Sequence, residues 1–213
     1  MSAAISCVAV LFDLDGVLVD SAAAVERSWL EFARRHRLGT DRVLAVCHGR
    51  PSVETIRILL PEADAPAVAV ALEREQAADV RDIVACAGAA ALLERLPADR
   101  WAVVTSGTRP LATARIRAAG LPLPRIMVAA GDVPRGKPAP DGYLEAARLL
   151  DASPADCVVV EDAAPGGAAA RAAGMRVVGM TGTGLRPDAG LDVVAASLDE
   201  LRLRVEAPVG RHD

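Results

Sequence analysis

Short apolar runs rich in β-branched residues recur along the chain. The clearest cover residues 8–12, 101–104 and 157–160, and weaker ones cover residues 125–128 and 176–178. Unbroken apolar runs of this length are typical of strands buried on both faces of a parallel sheet. The pattern therefore predicts five strands of such a sheet.

Helix-like stretches separate these runs, and each is followed by glycine, proline or a short polar break. They cover residues 88–96, 110–119, 141–150 and 165–173. Alternation of strand and helix is typical of α/β proteins with a parallel sheet. We therefore expect a Rossmann-like, doubly wound core.

The segment from about residue 21 to residue 86 breaks this alternation, since it reads as several helices and has no confident strand. One helix is expected around residues 30–38, another at 52–60 and a third at 67–84. Such a segment indicates an insertion into the core. We expect a helical cap domain over residues 20–86 and a core domain made of residues 1–19 and 87–213.

Composition narrows the possible functions. Hydrophobic residues make up 52% of the 213 residues, yet no apolar run approaches the roughly 20 residues of a membrane helix. A net charge of −4 and an aromatic content of 2% offer no basic face and few rings for nucleic acid. We expect a soluble monomer or weak homodimer that binds neither membrane nor nucleic acid, and cytoplasmic because no signal peptide is evident.

The basic residues are distributed unevenly between the two types. The 24 lysines and arginines include a single lysine, Lys137. A surface lysine before a turn is the simple interpretation. The alternative is that this position requires an ammonium group.

Acidic residues follow two of the predicted strands, at the edge where open α/β sheets bind ligands. Asp13 and Asp15 follow the first strand and precede Gly16, while Glu161 and Asp162 follow another. Neighbouring carboxylates raise one another's pKa unless a cation neutralises them. Hard oxygen ligands suit Mg²⁺, so the residues indicate a magnesium site.

Other residues supply what an acidic site lacks for binding phosphate. Thr105 offers a hydroxyl donor and Lys137 a positive charge. Backbone N–H groups at Gly16, Ser106 and Gly107 add donors where loops enter helices. The partner expected from these residues is a small phosphorylated metabolite.

Four motifs carry a resemblance to haloacid dehalogenase-like phosphatases, over residues 13–162. In order they are Asp13-x-Asp15-Gly16-Val17-Leu18-x-Asp20-Ser21, Val103-Val104-Thr105-Ser106-Gly107, Gly136-Lys137-Pro138 and Glu161-Asp162. The resemblance implies that Asp13 attacks phosphorus to form an aspartyl-phosphate and that Asp15 is the general acid and base. It also implies Mg²⁺ held by Asp13, the backbone carbonyl of Asp15 and Asp162, with Glu161 acting through water.

Residues 101–109, 47–50 and 136–143 resemble the sugar-phosphate and glycerol-phosphate phosphatases of this superfamily. That resemblance implies a sugar or polyol phosphate as substrate, met on the cap by His48, Gly49 and Arg50. For His48 and Arg50 a turn and a solvated surface charge are the simpler alternatives. Arg109 either touches the substrate phosphate or begins the following helix.

Other functions fit part of the pattern. A mutase similar to β-phosphoglucomutase shares all four motifs, but its cap histidine falls at Val25 here, which favours hydrolysis. A dehalogenase would not need Asp15. A phospho-accepting signalling module combines similar residues, but it is usually smaller and lacks the long helical insertion. Asp13 and Asp15 could also simply form a strand-end turn and a helix cap.

Overall fold

The computed structural model describes residues 4–47, 51–181 and 191–206. Ten strands lie in this part of the chain: β1 (Ile5–Cys7), β2 (Ala9–Phe12), β3 (Val19–Asp20), β4 (Val84–Ala85), β5 (Trp101–Val104), β6 (Ile126–Val128), β7 (Cys157–Glu161), β8 (Arg176–Met180), β9 (Val193–Ala195) and β10 (Leu203–Val205). The helices are α1 (Ala22–Arg35), α2 (Thr40–Cys47), α3 (Ser52–Leu59), α4 (Ala65–Ala78), α5 (Ala89–Arg95), α6 (Arg109–Ala118), α7 (Asp141–Leu149) and α8 (Ala164–Ala172).

The central sheet has six strands in the order β6-β5-β2-β7-β8-β9, and every neighbouring pair is parallel. The chain therefore starts in the middle of the sheet, runs to one edge and returns to build the other half. This is the doubly wound arrangement, which places a ligand crevice at the carboxyl ends of the strands where the order reverses. The predicted α/β fold is confirmed.

Strand β2 shows why its sequence is an unbroken apolar run. Val10 and Phe12 join the apolar cluster that α5 and α6 cover, whereas Ala9 and Leu11 join the cluster beneath α7 and α8. Successive side chains of a strand point to opposite faces, so a strand covered on both sides needs apolar residues throughout. All four residues are fully buried. Their burial fixes the position of Asp13, which follows directly.

Helices α1 to α4 share an apolar cluster of their own, in which the rings of Trp29 and Phe32 meet edge to face at 5.2 Å. Strands β3 and β4 form a short antiparallel pair next to the two predicted boundaries of the cap. The division into a cap over residues 20–86 and a core remains a prediction. Across the described ranges, no helix has the length and apolar character to cross a membrane.

The predicted end of the helix expected over residues 67–84, which corresponds to α4, was wrong. Helix α4 stops at Ala78 rather than continuing to residue 84, and Val84–Ala85 is a strand in a segment where none was expected. The Asp79 carboxylate accepts the backbone N–H of Arg81 and forms ion pairs with the guanidinium groups of Arg27 and Arg81. A short acid that binds nearby backbone competes with helix hydrogen bonding, which explains the early end.

Candidate active site

The carboxyl ends of β2, β5 and β7 open into a cavity of about 770 Å³ between the sheet and the predicted cap. From the core, the cavity is lined by residues that the sequence singled out: Asp13, Asp15, Gly16, Thr105, Ser106, Gly107, Lys137, Glu161 and Asp162. From the predicted cap, it is lined by apolar and polar side chains that include Val25, Trp29, Ser52, Glu73 and Gln76. The structure thus brings together predicted site residues from distant parts of the chain.

Lys137 is the centre of the polar network in this cavity. Its Nζ donates to Asp13 Oδ1 at 2.5 Å, to Glu161 Oε1 at 2.6 Å and to the carbonyl oxygen of Val104 at 3.0 Å. An ammonium group has three donors, and all three are used here. The side chain is only 11% exposed, so the charge is held at one point beside Asp13.

Glu161 is fully buried and uses both carboxylate oxygens. Oε1 also accepts the hydroxyl of Tyr143 at 2.6 Å, and Oε2 accepts the N–H groups of Asp162 and Ala163 at 3.0 and 3.2 Å. Gly166 makes room for it, since a Cβ there would collide with the carboxylate. Glu161 therefore anchors Lys137. The hydrogen bond from Tyr143 to Glu161 was not predicted from the sequence.

Three carboxylates, those of Asp13, Glu161 and Asp162, each place an oxygen within 4.8 Å of the others. Gly16, at a φ of +81°, lies against Asp162, where a Cβ would collide with the carboxylate. Hard carboxylate oxygens so close together fit a divalent cation such as Mg²⁺. The donor set and the glycine cradle therefore agree with the metal site expected from the sequence.

The pKa values of these groups reflect their crowding. Burial raises the pKa of Asp13 well above its usual range; Lys137 opposes this shift, while Glu161 and Asp162 add to it. Burial, followed by repulsion from Glu161, raises the pKa of Asp162 to about 7. For Lys137, burial lowers the pKa, but Asp13 and Glu161 more than offset it, so the pKa rises. One ammonium group therefore does not neutralise the acids around it.

Asp15 lines the cavity, but its carboxylate is held by other partners. Oδ1 accepts the hydroxyl of Ser21 at 2.6 Å, and Oδ2 accepts Nη1 of Arg115 at 2.7 Å. Arg115 was missed at the level of sequence. A signal was present, because it shares a buried face of α6 with Leu111 and Ile116, where a charged residue is unusual.

The loop after β5 presents Thr105, Ser106 and Gly107 to the cavity. The hydroxyl oxygen of Thr105 accepts the backbone N–H of Gly107 at 3.1 Å, so this N–H is not free for phosphate as the sequence suggested. The hydroxyl proton of Thr105 remains available because the oxygen is the acceptor. The loop is thus tightened by Thr105 itself.

Arg109 is the first residue of α6, in agreement with the second of its two proposed roles. Its guanidinium donates to the carbonyl of Met127 at 2.8 Å and to Asp132 at 2.6 Å, and it does not line the cavity. These contacts give no support to a substrate contact by Arg109. His48, Gly49 and Arg50 lie outside the described residues.

Glu73 and Gln76 of α4 are cavity-lining residues that the sequence did not single out. Glu73 Oε2 accepts the backbone N–H of Thr108 at 3.0 Å, and Gln76 Oε1 accepts Nη2 of Arg115 at 3.3 Å. They lie three positions apart and so share one helix face. Helix α4 therefore contacts both the loop after β5 and the residue that holds Asp15.

Comparison with known proteins identifies related chains. The family model of haloacid dehalogenase-like hydrolases matches residues 7–174. Hexitol phosphatase A of Escherichia coli (strain K12) is 44% identical over 92% of this chain and 93% of that protein. Glycerol-1-phosphate phosphohydrolase 2 of Saccharomyces cerevisiae is 30% identical over 92% of this chain and 84% of that protein.

A solved structure extends the comparison. The crystal structure of CbbY from Rhodobacter sphaeroides in complex with phosphate has a TM-score of 0.79 and 27% identity. The match covers 92% of this chain and 97% of that one. The similarity therefore extends across both the sheet and the helices that cover the cavity.

Proposed function

Because the chain belongs to the haloacid dehalogenase-like hydrolase family, we propose that it is a Mg²⁺-dependent phosphatase. It would hydrolyse small sugar or polyol phosphates through an aspartyl-phosphate on Asp13. The predicted family is confirmed, and with it the enzyme class, a phosphoric monoester hydrolase. The cation, the covalent intermediate and the roles of individual residues are our proposal.

One observation carries the proposed chemistry: the buried ammonium group of Lys137 lies 2.5 Å from Asp13 Oδ1. The lysine orients the carboxylate and places positive charge where a phosphate dianion would arrive. An oxygen of Asp13 would form a bond to phosphorus while the bond from phosphorus to the sugar oxygen breaks. Fixed charge and positioning are the main requirements for phosphoryl transfer.

Asp15 would transfer protons in both half-reactions, which are the phosphorylation of Asp13 and the hydrolysis of the aspartyl-phosphate. Protonated, it would give its proton to the departing sugar oxygen, so that an alcohol leaves instead of an alkoxide. As the resulting carboxylate, it would take a proton from water as the water oxygen bonds to phosphorus. The bond between Asp13 and phosphorus then breaks, releasing inorganic phosphate and restoring both aspartates.

Two residues of the loop after β5 would orient the phosphate. The hydroxyl of Thr105 can donate its proton because its oxygen already accepts the N–H of Gly107. The backbone N–H of Gly16, which the sequence also suggested as a donor, instead donates to the carbonyl oxygen of Val19 at 2.8 Å, so it is not free for phosphate. Ser106 lines the same cavity and supplies a further donor. These donors would keep phosphorus in reach of Asp13.

Asp13 and Asp162 would hold Mg²⁺, with the backbone carbonyl of Asp15 as a further proposed ligand. When bound, the cation would neutralise part of the negative charge on the phosphate oxygens. The raised pKa values of Asp13 and Asp162 support this proposal, because these acids need more positive charge than Lys137 provides. Glu161 would act mainly by anchoring Lys137.

The substrate class rests on the relatives and on the cavity. A hexitol phosphatase and a glycerol-1-phosphate phosphohydrolase are similar over most of this chain. A cavity of about 770 Å³ lies within the range of roughly 300–1,000 Å³ usual for small-molecule sites. Glu73 faces it from the side of the predicted cap and is a proposed contact for substrate hydroxyls. Contacts from His48, Gly49 and Arg50 remain predictions.

The two alternative functions, a mutase and a phospho-accepting module, would give different products from those of a hydrolase. A mutase would return the phosphate to the sugar, and the apolar Val25, at the position of the expected cap histidine, lines the cavity and argues against it. A phospho-accepting module would stop after one phosphorylation of each chain. A hydrolase releases many phosphates for each chain.

The test is a screen of sugar and polyol monophosphates, in which inorganic phosphate and phosphate isomers are both measured, with Mg²⁺ or EDTA present. We expect many turnovers by the wild type with Mg²⁺, none with EDTA, and none by Asp13→Asn. Glu62→Gln, which changes an exposed carboxylate in the same way, is the control and should match the wild type. Equal activity of the Asp13 variant would overturn the proposed mechanism, and isomer formation would assign a mutase.

A further inference from the structure

Arg115 is a buried cation that connects the active-site acid to helix α4. Its side chain is 7% exposed, although it is charged. Nη1 donates to Asp15 Oδ2 at 2.7 Å, and Nη2 donates to Gln76 Oε1 at 3.3 Å. One guanidinium therefore contacts both the proposed general acid and a residue of the predicted cap.

Burial of this arginine requires an explanation, because removing a charge from water is costly unless it is paired. The body of its side chain shares the apolar face of α6, and its planar head supplies donors in fixed directions. Ser21 holds the other oxygen of Asp15 at 2.6 Å. Two donors, one on each oxygen, thus set the orientation of the carboxylate.

The second contact reaches α4, which also contacts the core at Thr108 through Glu73. Glu73 and Gln76 are three residues apart, so a shift of α4 would displace both contacts together. The position of the helix and the orientation of Asp15 are therefore linked by hydrogen bonds.

We propose that Arg115 is a positioning residue: it holds Asp15 for proton transfer to the leaving group, and Gln76 links that orientation to α4. The inference rests on the proposed function, in which Asp15 protonates the departing oxygen. Without Arg115, Ser21 alone would orient Asp15, and the carboxyl group would spend less time aimed at that oxygen. The loss should then depend on how much the leaving group needs a proton.

The experiment compares a polyol phosphate with p-nitrophenyl phosphate. An alkoxide is a poor leaving group and needs the proton, whereas p-nitrophenolate leaves without one. The ratio kcat/KM reports steps up to departure of the leaving group, so the later role of Asp15 as a base does not enter. General acid catalysis typically contributes about 10²–10⁴-fold.

We expect Arg115→Ala to lower kcat/KM about 10²-fold for the polyol phosphate and less than about tenfold for p-nitrophenyl phosphate. Arg115→Lys should keep part of the contact with Asp15 and show a smaller difference between the substrates. Gln76→Ala should also lower kcat/KM more for the polyol phosphate than for p-nitrophenyl phosphate, and this difference between the substrates should be smaller than for Arg115→Ala. Equal losses on both substrates would overturn the inference, because a purely structural role does not distinguish leaving groups.

Controls separate this inference from the proposed function. Arg117→Ala removes an exposed arginine from the same helix and should leave both substrates unchanged. Asp15→Asn should show the same selectivity for leaving groups. Adding Arg115→Ala to Asp15→Asn should not change the difference in kcat/KM between the two substrates any further.

If Arg115→Ala does not fold, Arg115→Lys and Gln76→Ala carry the test. A wild type without phosphatase activity overturns the proposed function. An active wild type whose Arg115 and Gln76 variants lose kcat/KM equally on both substrates overturns only this inference.

Discussion

The Nζ atom of Lys137 lies 2.5 Å from Oδ1 of Asp13, although the two residues are 124 positions apart in the chain. Asp13 follows β2, and Lys137 lies between β6 and α7, so parallel strands bring both to one edge of the sheet. Glu161, at the end of β7, holds the same ammonium group from the other side. The spacing of charges in the site therefore depends on one lysine.

Replacement of Lys137 by arginine should not preserve activity. Its compact ammonium group meets three acceptors in a buried space, whereas a guanidinium is planar and larger. We expect Lys137→Arg and Lys137→Ala each to lower kcat/KM by about 10²–10³-fold with Mg²⁺ present. The control is Arg135→Lys in the same loop, where the exposed side chain pairs with Asp141. Near-normal activity of Lys137→Arg would show that the site needs only a charge.

A methyl group at Gly166 should disturb the anchor of Lys137. A Cβ at this position would collide with the carboxylate of Glu161, which is fully buried and cannot move into solvent. We expect Gly166→Ala to lower the free energy of unfolding by about 1–3 kcal/mol and to lower kcat. Gly39→Ala is the control, since a Cβ there meets no atom within 4 Å. Denaturant unfolding of the two variants measures the difference, and equal stability would contradict this packing.

The thermal stability of metal-free protein should depend on Asp162 and pH. The pKa of Asp162 is about 7 in the folded protein and 3.8 ordinarily, so folding is favoured by its protonated form. This contribution is complete below the unfolded value and is lost as pH rises through about 7. In EDTA, Asp162→Asn should therefore raise Tm relative to the wild type at pH 8 and have little effect near pH 4.

The same Tm measurement with Mg²⁺ in place of EDTA tests Asp162 as a metal ligand. Mg²⁺ binds the folded form of the wild type, so it should raise the wild-type Tm at pH 8 and raise that of Asp162→Asn less. Glu62→Gln removes an exposed carboxylate and should not change Tm in either condition. If Mg²⁺ raises the Tm of the wild type and of Asp162→Asn by the same amount, Asp162 is not a ligand of the cation.

The fold and most of the acidic site could be predicted from the sequence because their signals are local. Strand β2 is an unbroken apolar run, and its last residue fixes where Asp13 begins. The same reasoning applies to β7 and Glu161. Strands β1, β9 and β10 were not predicted, because each has three residues and is partly exposed, too short for a pattern.

The missed residues act through contacts that no local pattern encodes. Tyr143 has the signature of a core residue, and only the fold shows its hydroxyl at Glu161. Arg115 contacts Asp15, a residue 100 positions earlier in the chain. Glu73 lies on a helix whose charged residues otherwise suggest a solvated surface. Their roles depend on how the helices pack against the sheet, which periodicity alone does not determine.

Removal of the Tyr143 hydroxyl should have a smaller effect than removal of Lys137. Tyr143→Phe leaves Glu161 its other three donors, those of Lys137, Asp162 and Ala163. We expect a loss of stability of about 1–3 kcal/mol for the lost hydrogen bond to a charged acceptor, and a loss of less than about tenfold in kcat. Thermal unfolding and steady-state kinetics measure both. A loss as large as that of Lys137→Ala would mean that the tyrosine acts directly on substrate.

Trapping of the covalent intermediate tests the central claim most directly. The Asp15→Asn variant lacks the base for hydrolysis but can still be phosphorylated by p-nitrophenyl phosphate, whose leaving group needs no proton. The reaction is quenched in acid with Mg²⁺ present, and peptide mass spectrometry locates the phosphoryl group. We predict one phosphoryl group on Asp13, and none after Asp13→Asn is added or Mg²⁺ is removed. Release of p-nitrophenolate without a protein-bound phosphoryl group, or with the group on another residue, would contradict the proposed nucleophile.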